Sequence, residues 1–332
     1  MSGDAVTVAI VTHDAASDLP GCLEAVGRQT HRPLELVVVD CASSDGSPEV
    51  ARRTAPDGIP LRILELGENR GFAGGMNAAF AASTAPLFLT LNADATLDPE
   101  FVARLVERLR RSAEHRPGAA TGRISRSEPP ARLDACGMYL FWTWRHFDRG
   151  AGRTDRGQFA RPARVFGATG AATLWVRAAV EDAAVEAGEI FDARFHTFRE
   201  DAELSMRLQE RGFSVLYEPA ARARHRRSAL PGRRSRLSAL ANLNSLRNRY
   251  LLRIDHQSGW NFLWTLPATL WRDAAALAWA LAFERSSLAA YRWLWSHRRE
   301  LVAHRRRVRG RALRSLDRWF WIREQPLAEE EP

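Results

Sequence analysis

Residues able to do chemistry recur in this chain at the ends of apolar runs. Asp14 follows "VTVAIVT", Asp40 closes "LELVVVD", and Asp94 stands just past "PLFLTLN". Further on, Arg199-Glu200-Asp201 opens a helical pattern, and His225 comes just after the run "FSVLYEP". A single Asp after a strand reads most simply as a turn or helix cap. Three in the same position mark a site, because ligands of open α/β sheets bind outside the carboxyl ends of the strands. The stretch "NRGFAGGMN", Asn69 to Asn77, adds glycines that let backbone approach a ligand closely. Their spacing is not that of the dinucleotide fingerprint, which argues against a nicotinamide enzyme.

The elements that must carry these residues alternate. "VTVAIVT", "LELVVVD", "LRILELG" and "PLFLTLN" read as buried parallel strands. Between them, "SDLPGCLEAVGRQT" places Leu19, Cys22, Leu23 and Val26 on one helical face behind Ser17 or Asp18 as N-cap. "SPEVARRTA" and "GFAGGMNAAFAAST" read as the next two helices, and "DPEFVARLVERLRRS" as an amphipathic one capped by Asp98, with Pro99 first. This alternation predicts a doubly wound α/β sheet. Residues 123–164, rich in Gly, Pro and Arg, read as excursions over the surface. "VFGATGAATLWVRAAVEDA" then predicts a strand leading into a helix, and a further helix follows Phe198 and stops at Gly212.

The length of 332 residues suits one large domain with an extension, or two domains. The net charge of +9 is unevenly spread: residues 222–323 hold 23 Arg and 5 acids, +18, which leaves −9 for the rest. No Lys occurs, which we read as coding bias. The three cysteines form no CxxC pair, so a reducing cytoplasm is the expected setting. The start of the chain has no basic segment before its first apolar run, so a secretory signal is not expected.

Four segments in order resemble an inverting glycosyltransferase of family 2 with the GT-A nucleotide-sugar-binding fold, within its rhamnosyltransferase-like branch. They are "VAIVTHD", "LVVVDCASSDGS", "ENRGFAGGMNAAF" with "FLTLNADATLDPEF", and "GEIFDARFHTFREDAELSMRLQERG"; the likeness runs from about Val6 to His225. Asn92-Ala93-Asp94 occupies the place of the family's DxD motif. The resemblance thus implies Asp94 and His225 as ligands of a divalent cation, Mn²⁺ or Mg²⁺, beneath the donor diphosphate. Asp201 matches the catalytic base, with Glu200 as an acceptor-orienting neighbour. Nucleotide-sugar contacts are expected from Thr12, Asp14, Asp40, Ser43, Asn69, Arg70, Gly71, Gly74, Asn77, Asn92 and Arg207; Arg207 could equally brace Asp201 or be a solvated cation. Glu stands at position 203 where relatives have Asp. The implied partners are a dTDP- or UDP-type sugar donor, rhamnose first, and a glycan or lipid-linked acceptor.

The expected division is a catalytic domain over 1–228 and a helical, basic region over 229–332. That region holds eight of the 11 Trp. In "WNFLWTLPATLWRDAAALAWALAF", Arg272 and Asp273 split the apolar run, which opposes a membrane span. Trp beside Arg suits a helix lying on an anionic membrane surface, which predicts a cytoplasmic protein peripheral to the inner face of the cell membrane. Packing of the tryptophans onto the body is the alternative; nucleic-acid binding is not expected. Two other activities stay open: a nucleotidyltransferase on a similar sheet, and an inactive membrane-bound scaffold.

Overall fold

The computed structural model describes residues 4–128, 132–227 and 238–327. Its first half alternates as the apolar runs dictate: β1 (Val6–Thr12), α1 (Leu19–Gly27), β2 (Leu34–Asp40), α2 (Ser47–Arg53), β3 (Leu61–Glu65), α3 (Gly71–Ala81) and β4 (Leu87–Asn92). Then come β5 (Ala95–Leu97), α4 (Phe101–Arg111), β6 (Pro117–Arg126), β7 (Leu133–Ala135), β8 (Met138–Phe141), β9 (Arg145–Asp148) and β10 (Ala163–Val165). β11 (Ala172–Val176), α5 (Arg177–Ala183), α6 (Glu200–Glu210) and β12 (Ser214–His225) complete the body. Last are α7 (Ala239–His256), α8 (Gly259–Phe283), α9 (Ala289–Ser296), α10 (Arg298–Arg311) and β13 (Gln325–Pro326).

The main sheet runs β13-β10-β12-β6-β11-β4-β1-β2-β3. β1 pairs in parallel with β2 and β4, β2 with β3, and β6 with β12, whereas β11 lies antiparallel between β4 and β6. This is the expected mostly parallel α/β sheet. Alternation along β1 gives each face its own core. Val6, Val8 and Ile10 meet Leu19, Leu23 and Val26 of α1 and Phe101 and Leu105 of α4. Ala9, with Val37 and Val39 of β2, meets Ala73, Met76 and Phe80 of α3. Each such fully buried Leu or Phe contributes roughly 1.5–3 kcal/mol. Because β1 is flanked by β2 and β4, the ends carrying Thr12, Asp40 and Asn92 lie side by side.

Two expectations need correction. Residues 123–164 are not surface excursions: Leu133, Cys136, Met138, Leu140 and Trp144 are buried, and β8 and β9 form a hairpin with Tyr139 opposite Phe147 and Phe141 opposite Arg145. Gly and Arg concealed the two-residue alternation, and even Arg149 is buried, its guanidinium over the Phe159 and Tyr217 rings. His225 does not follow a strand but ends one, paired with Ala95 of β5 and Arg126 of β6. The tail packs onto the body. Leu251, Leu252, Leu301, Leu316, Trp319 and Phe320 share one cluster with Met138, Phe166, Phe195 and Met206, and β13 joins the sheet edge. The expected boundary at 228 thus divides elements with a common core, though residues 228–237 lie outside those described.

The tryptophans of the tail divide between buried and exposed positions. Trp319 is buried, while Trp260, Trp271, Trp279 and Trp295 of α8 and α9 are exposed. Among the described residues no helix is long and apolar enough to cross a membrane.

Candidate active site

The end of β4, the end of β12 and the start of α6 open on one cleft of about 1160 Å³, lined by Asn92, Asp94, Asp134, Asp148, Gly170, Glu200, Asp201, His225 and Arg227 among others. The residues singled out at Asp94, Asp201 and His225 therefore meet, although their elements are far apart in the chain.

His225 is the hub of one wall. Its Nε2 lies 3.0 Å from Asp94 Oδ1 and 3.2 Å from Asn92 Nδ2, and its Nδ1 donates to Asp134 Oδ2 at 2.8 Å. Burial opposes a charged ring, but the carboxylates on both sides outweigh it and raise His225 to about 9. Asp134 is held below the usual range: burial pushes it up, but the His225 hydrogen bond and Arg227 prevail. Arg227 spans two carboxylates, donating to Asp134 at 2.7 Å and to Asp148 at 3.0 Å. Asp148 is nonetheless pushed up to about 6, chiefly by burial, with Asp201 and Asp134 adding to it. The sequence reading missed Asp134, Asp148 and Arg227. The alternation in "RHFD" was the signal that could have found Asp148.

The donor atoms fit a divalent cation. Two neighbouring ligands of an octahedral ion at about 2.1 Å stand about 3 Å apart, as Asp94 Oδ1 and His225 Nε2 do. The carboxylate behind Nδ1 fixes the tautomer that leaves Nε2 to ligate. Among the described residues the one group of three metal-capable side chains lies elsewhere, at Asp192, Asp255 and His304. There the Arg194 guanidinium donates to Asp192, to Asp255 at 2.7 Å and lies against His304. An arginine already supplies the positive charge, so we read that group as a structural tie between the body and the tail.

Across the cleft, α6 starts from a strained turn: His196, Phe198 and Arg199 all have positive φ. Asn248 of α7 holds this turn, its Nδ2 reaching the carbonyls of Phe195 (2.8 Å), Thr197 (2.9 Å) and Phe198 (2.8 Å). The Asp201 carboxylate accepts from the backbone N–H of Gly170 at 2.9 Å and of Ala202 at 2.7 Å. Burial raises its pKa, and those N–H groups limit the rise. Glu200 is raised further, by burial and then by Asp201 beside it. The two neighbouring acids therefore differ in environment, as a proton-accepting pair requires.

The remaining candidates separate. Thr12 donates to Asp40 Oδ1 (2.9 Å), Ser43 N–H donates to Asp40 Oδ2 (3.0 Å), and Asp14 N–H donates to Ser43 Oγ (3.0 Å). These four form one network beside the cleft, at the β1 and β2 ends, without lining it. Asn69 and Arg70 precede α3: Asn69 Oδ1 caps Gly71 N–H at 2.9 Å, and Arg70 pairs with Glu68 at 2.8 Å. Gly71 has φ +67°, and a Cβ there would come within 2.3 Å of His196 O; at Gly74 it would meet Arg70 Cβ at 2.6 Å. These glycines serve helix and loop packing rather than a ligand. Asn77 is spent likewise, bonding the backbone of Ile190 and Phe191 through both ends of its amide. Arg207 is buried, pairs with Glu203 at 2.8 Å and donates to the carbonyls of Ala183 and Ile190. It neither reaches the cleft nor is solvated.

Comparison with known proteins agrees with this geometry. An N-acetylglucosaminyl-diphospho-decaprenol L-rhamnosyltransferase of Mycobacterium tuberculosis is 28% identical over 297 residues, covering 80% of this chain and 91% of that protein. An undecaprenyl-phosphate 4-deoxy-4-formamido-L-arabinose transferase of Pseudomonas paraeruginosa is 37% identical over 109 residues, and the match spans only 32% of that protein's length. A mannosyltransferase from Pyrobaculum calidifontis, solved with GDP-Man and Mn²⁺, superposes with a TM-score of 0.53 at 20% identity over 92% of this chain and 85% of that one. S. aureus TarS 1–349 with UDP-GlcNAc gives 0.54 at 15% identity, over 92% and 90%. These likenesses give the sheet the GT-A architecture. The family model for glycosyl transferase family 2 matches residues 7–174, half of the sequence and the segment that supplies Asp94 and Gly170, and the chain belongs to that family.

Proposed function

We propose that this chain transfers a sugar, rhamnose in the first instance, from a nucleoside diphosphate to a lipid-linked glycan, with inversion at the anomeric carbon. One observation carries the reading: Asp201 and the Asp94–His225 pair open on the same cleft. The name of the mycobacterial relative joins rhamnose to a diphospho-decaprenol acceptor, which supports both choices.

Asp94 and His225 would hold Mn²⁺ or Mg²⁺, and the cation supplies charge compensation to the departing diphosphate. Asp134 keeps His225 aimed into the cleft. Inversion needs an acceptor hydroxyl to attack the face opposite the leaving group and lose its proton as it does so. Asp201 takes that proton: its carboxylate is fixed by two backbone N–H groups, and its raised pKa makes it a stronger base than an exposed Asp. Glu200, beside it, orients the hydroxyl. Asp40, with Thr12 and Ser43, faces the nucleoside.

The test joins binding to turnover. Full-length protein is melted with dTDP-rhamnose, UDP-sugars and GDP-sugars, with and without Mn²⁺, and the true donor raises the midpoint in a concentration- and metal-dependent way. Asp201→Asn keeps that shift and loses transfer by 10²–10⁴-fold, the usual scale for a general base. Undiminished turnover in the variant would remove Asp201 from this role.

A further inference from the structure

The cleft of about 1160 Å³ is larger than the roughly 300–1,000 Å³ of most single-ligand sites. Part of its wall has not yet been given a role. Tyr139 and Phe141 of β8, Arg145 and Phe147 of β9, Arg153, and Arg323 after α10 all line it. Tyr139 faces Phe147 and Phe141 faces Arg145 across the hairpin, so these four side chains share one face.

On that face guanidinium groups lie on aromatic rings. Arg323 Cζ stands 4.4 Å from the Phe141 centroid and 5.3 Å from that of Tyr139, and Arg145 Cζ stands 4.3 Å from that of Phe147. Phe141 and Phe147 meet edge to face at 5.2 Å. Stacking on Tyr139 and Phe141 fixes the Arg323 guanidinium plane without using its N–H groups, which match the oxygens of a phosphate. Among the described residues, neither Arg153 nor Arg323 has a carboxylate within ion-pair distance. Arg227, at the Asp148 end of the hairpin, is by contrast spent on Asp134 and Asp148. Three residues of strand, about 10 Å, separate Asp148 from Arg145.

The wall continues into the tail. Trp142, at the turn of the hairpin, stacks on Trp264 of α8 with centroids 5.9 Å apart, and Trp264 stacks on Trp321 at 6.2 Å. Arg272 of α8 donates to Thr143 O. The helix that carries exposed Trp260, Leu263 and Trp271 is thus fastened to the same hairpin.

We propose that Arg145 and Arg323 on their aromatic ledge, with Arg153 elsewhere on the same wall, form a second anion subsite that takes the phosphate or diphosphate of the acceptor. The inference rests on the transfer reaction proposed above and adds the chemical group by which the acceptor is gripped. Its ligand is a phosphate ester; the source is either a prenyl diphosphate in a lipid surface or a free diphosphate.

The test uses full-length protein in EDTA, so that no cation recruits phosphate to the donor end. Titration calorimetry follows two probes: inorganic pyrophosphate, and a polyprenyl diphosphate carried in phosphatidylcholine vesicles. The wild type binds both, and Arg145→Gln/Arg323→Gln weakens each at least tenfold. Wild-type binding of the lipid probe alone, lost in the variant, also supports the subsite and assigns it to the lipid source. Equal affinity of wild type and variant for both probes overturns it, as does failure of the wild type to bind either. The metal-dependent donor shift is read in parallel on the same preparations. A donor shift without any effect of the arginines sinks the subsite alone, whereas no shift with any donor sinks the transfer reading itself.

Discussion

His225 Nδ1 lies 2.8 Å from Asp134 Oδ2, on the side of the ring away from Asp94. The imidazole is clamped between two carboxylates, Asp134 of β7 and Asp94 of the turn between β4 and β5. Replacing Asp134 by Asn keeps the shape and removes the anion that orients the ring. Outer-shell partners of this kind are worth about 10–100-fold in metal affinity, and that loss is expected for Mn²⁺ titrated calorimetrically with a nucleoside diphosphate present. An unchanged affinity would show that Asp134 does not position His225.

The parallel strands and the acids after them were legible because β1, β2 and β4 are buried on both faces and end abruptly at a polar residue. Asp94 stood out for the same reason, whereas Asp201 and His225 were named by the resemblance to family 2. Asp134, Asp148 and the β8–β9 hairpin were not, since Gly137, Arg145 and Arg149 interrupt the apolar alternation with residues usual in loops. Asn77 and Arg207 engage the backbone in a way the sequence did not announce. Their types suit ligand contact, but a buried amide or guanidinium near backbone carbonyls is as readily spent on those carbonyls, and no local pattern distinguishes the two. The tail was legible as amphipathic helix, yet only the coordinates separate the buried Trp319 from the exposed Trp260 and Trp271.

Asn248 donates to three carbonyls of the turn before α6. An Asn248→Asp substitution sets a carboxylate against those same oxygens, and it should cost more than Asn248→Ala, which leaves them unpaired at about 1–3 kcal/mol. Urea melts give the order of stability. In the folded fraction, kcat should fall with donor KM nearly unchanged, since the turn bears on Asp201 and not on the donor end. A matching fall in both variants confined to stability would remove the positioning role.

His256 is buried between α6 and the tail, its Nδ1 bonded to Glu210 at 2.9 Å and its Nε2 3.4 Å from Glu203, close enough for attraction though not for a good hydrogen bond. Burial disfavours the charge, but Glu210 and Glu203 overcome it and raise the pKa from 6.5 to about 9. The folded state therefore holds more protons than the unfolded chain between those values. The stabilisation is complete below about pH 6.5 and fades as pH rises through 9, by an amount on the order of 3 kcal/mol. The wild-type melting temperature should fall across that window, and His256→Gln should flatten the slope. Parallel slopes in the two proteins would discard the assignment.

Trp260 and Trp271 stand about three helical turns apart on α8, on one side of the helix, and are 72% and 79% exposed. If this side rests on lipid, the protein should sediment with phosphatidylglycerol vesicles. Trp260→Ser and Trp271→Ser should each cost roughly tenfold in partitioning. Recovery of wild type in the supernatant at low and high salt alike would discard the lipid contact.

The prop for the turn ahead of Asp201 is Asn248, fifty residues downstream of Phe198. Translation therefore delivers the two halves of the machinery at different times. β1 to β4 can assemble from neighbouring segments as they leave the ribosome, whereas the turn ahead of Asp201, held early only by the start of α3 through Phe72 and Ala73, gains its Asn248 prop once α7 has emerged. A ribosome-bound chain halted before α7 should consequently recognise a donor nucleotide while remaining unable to pass on its sugar.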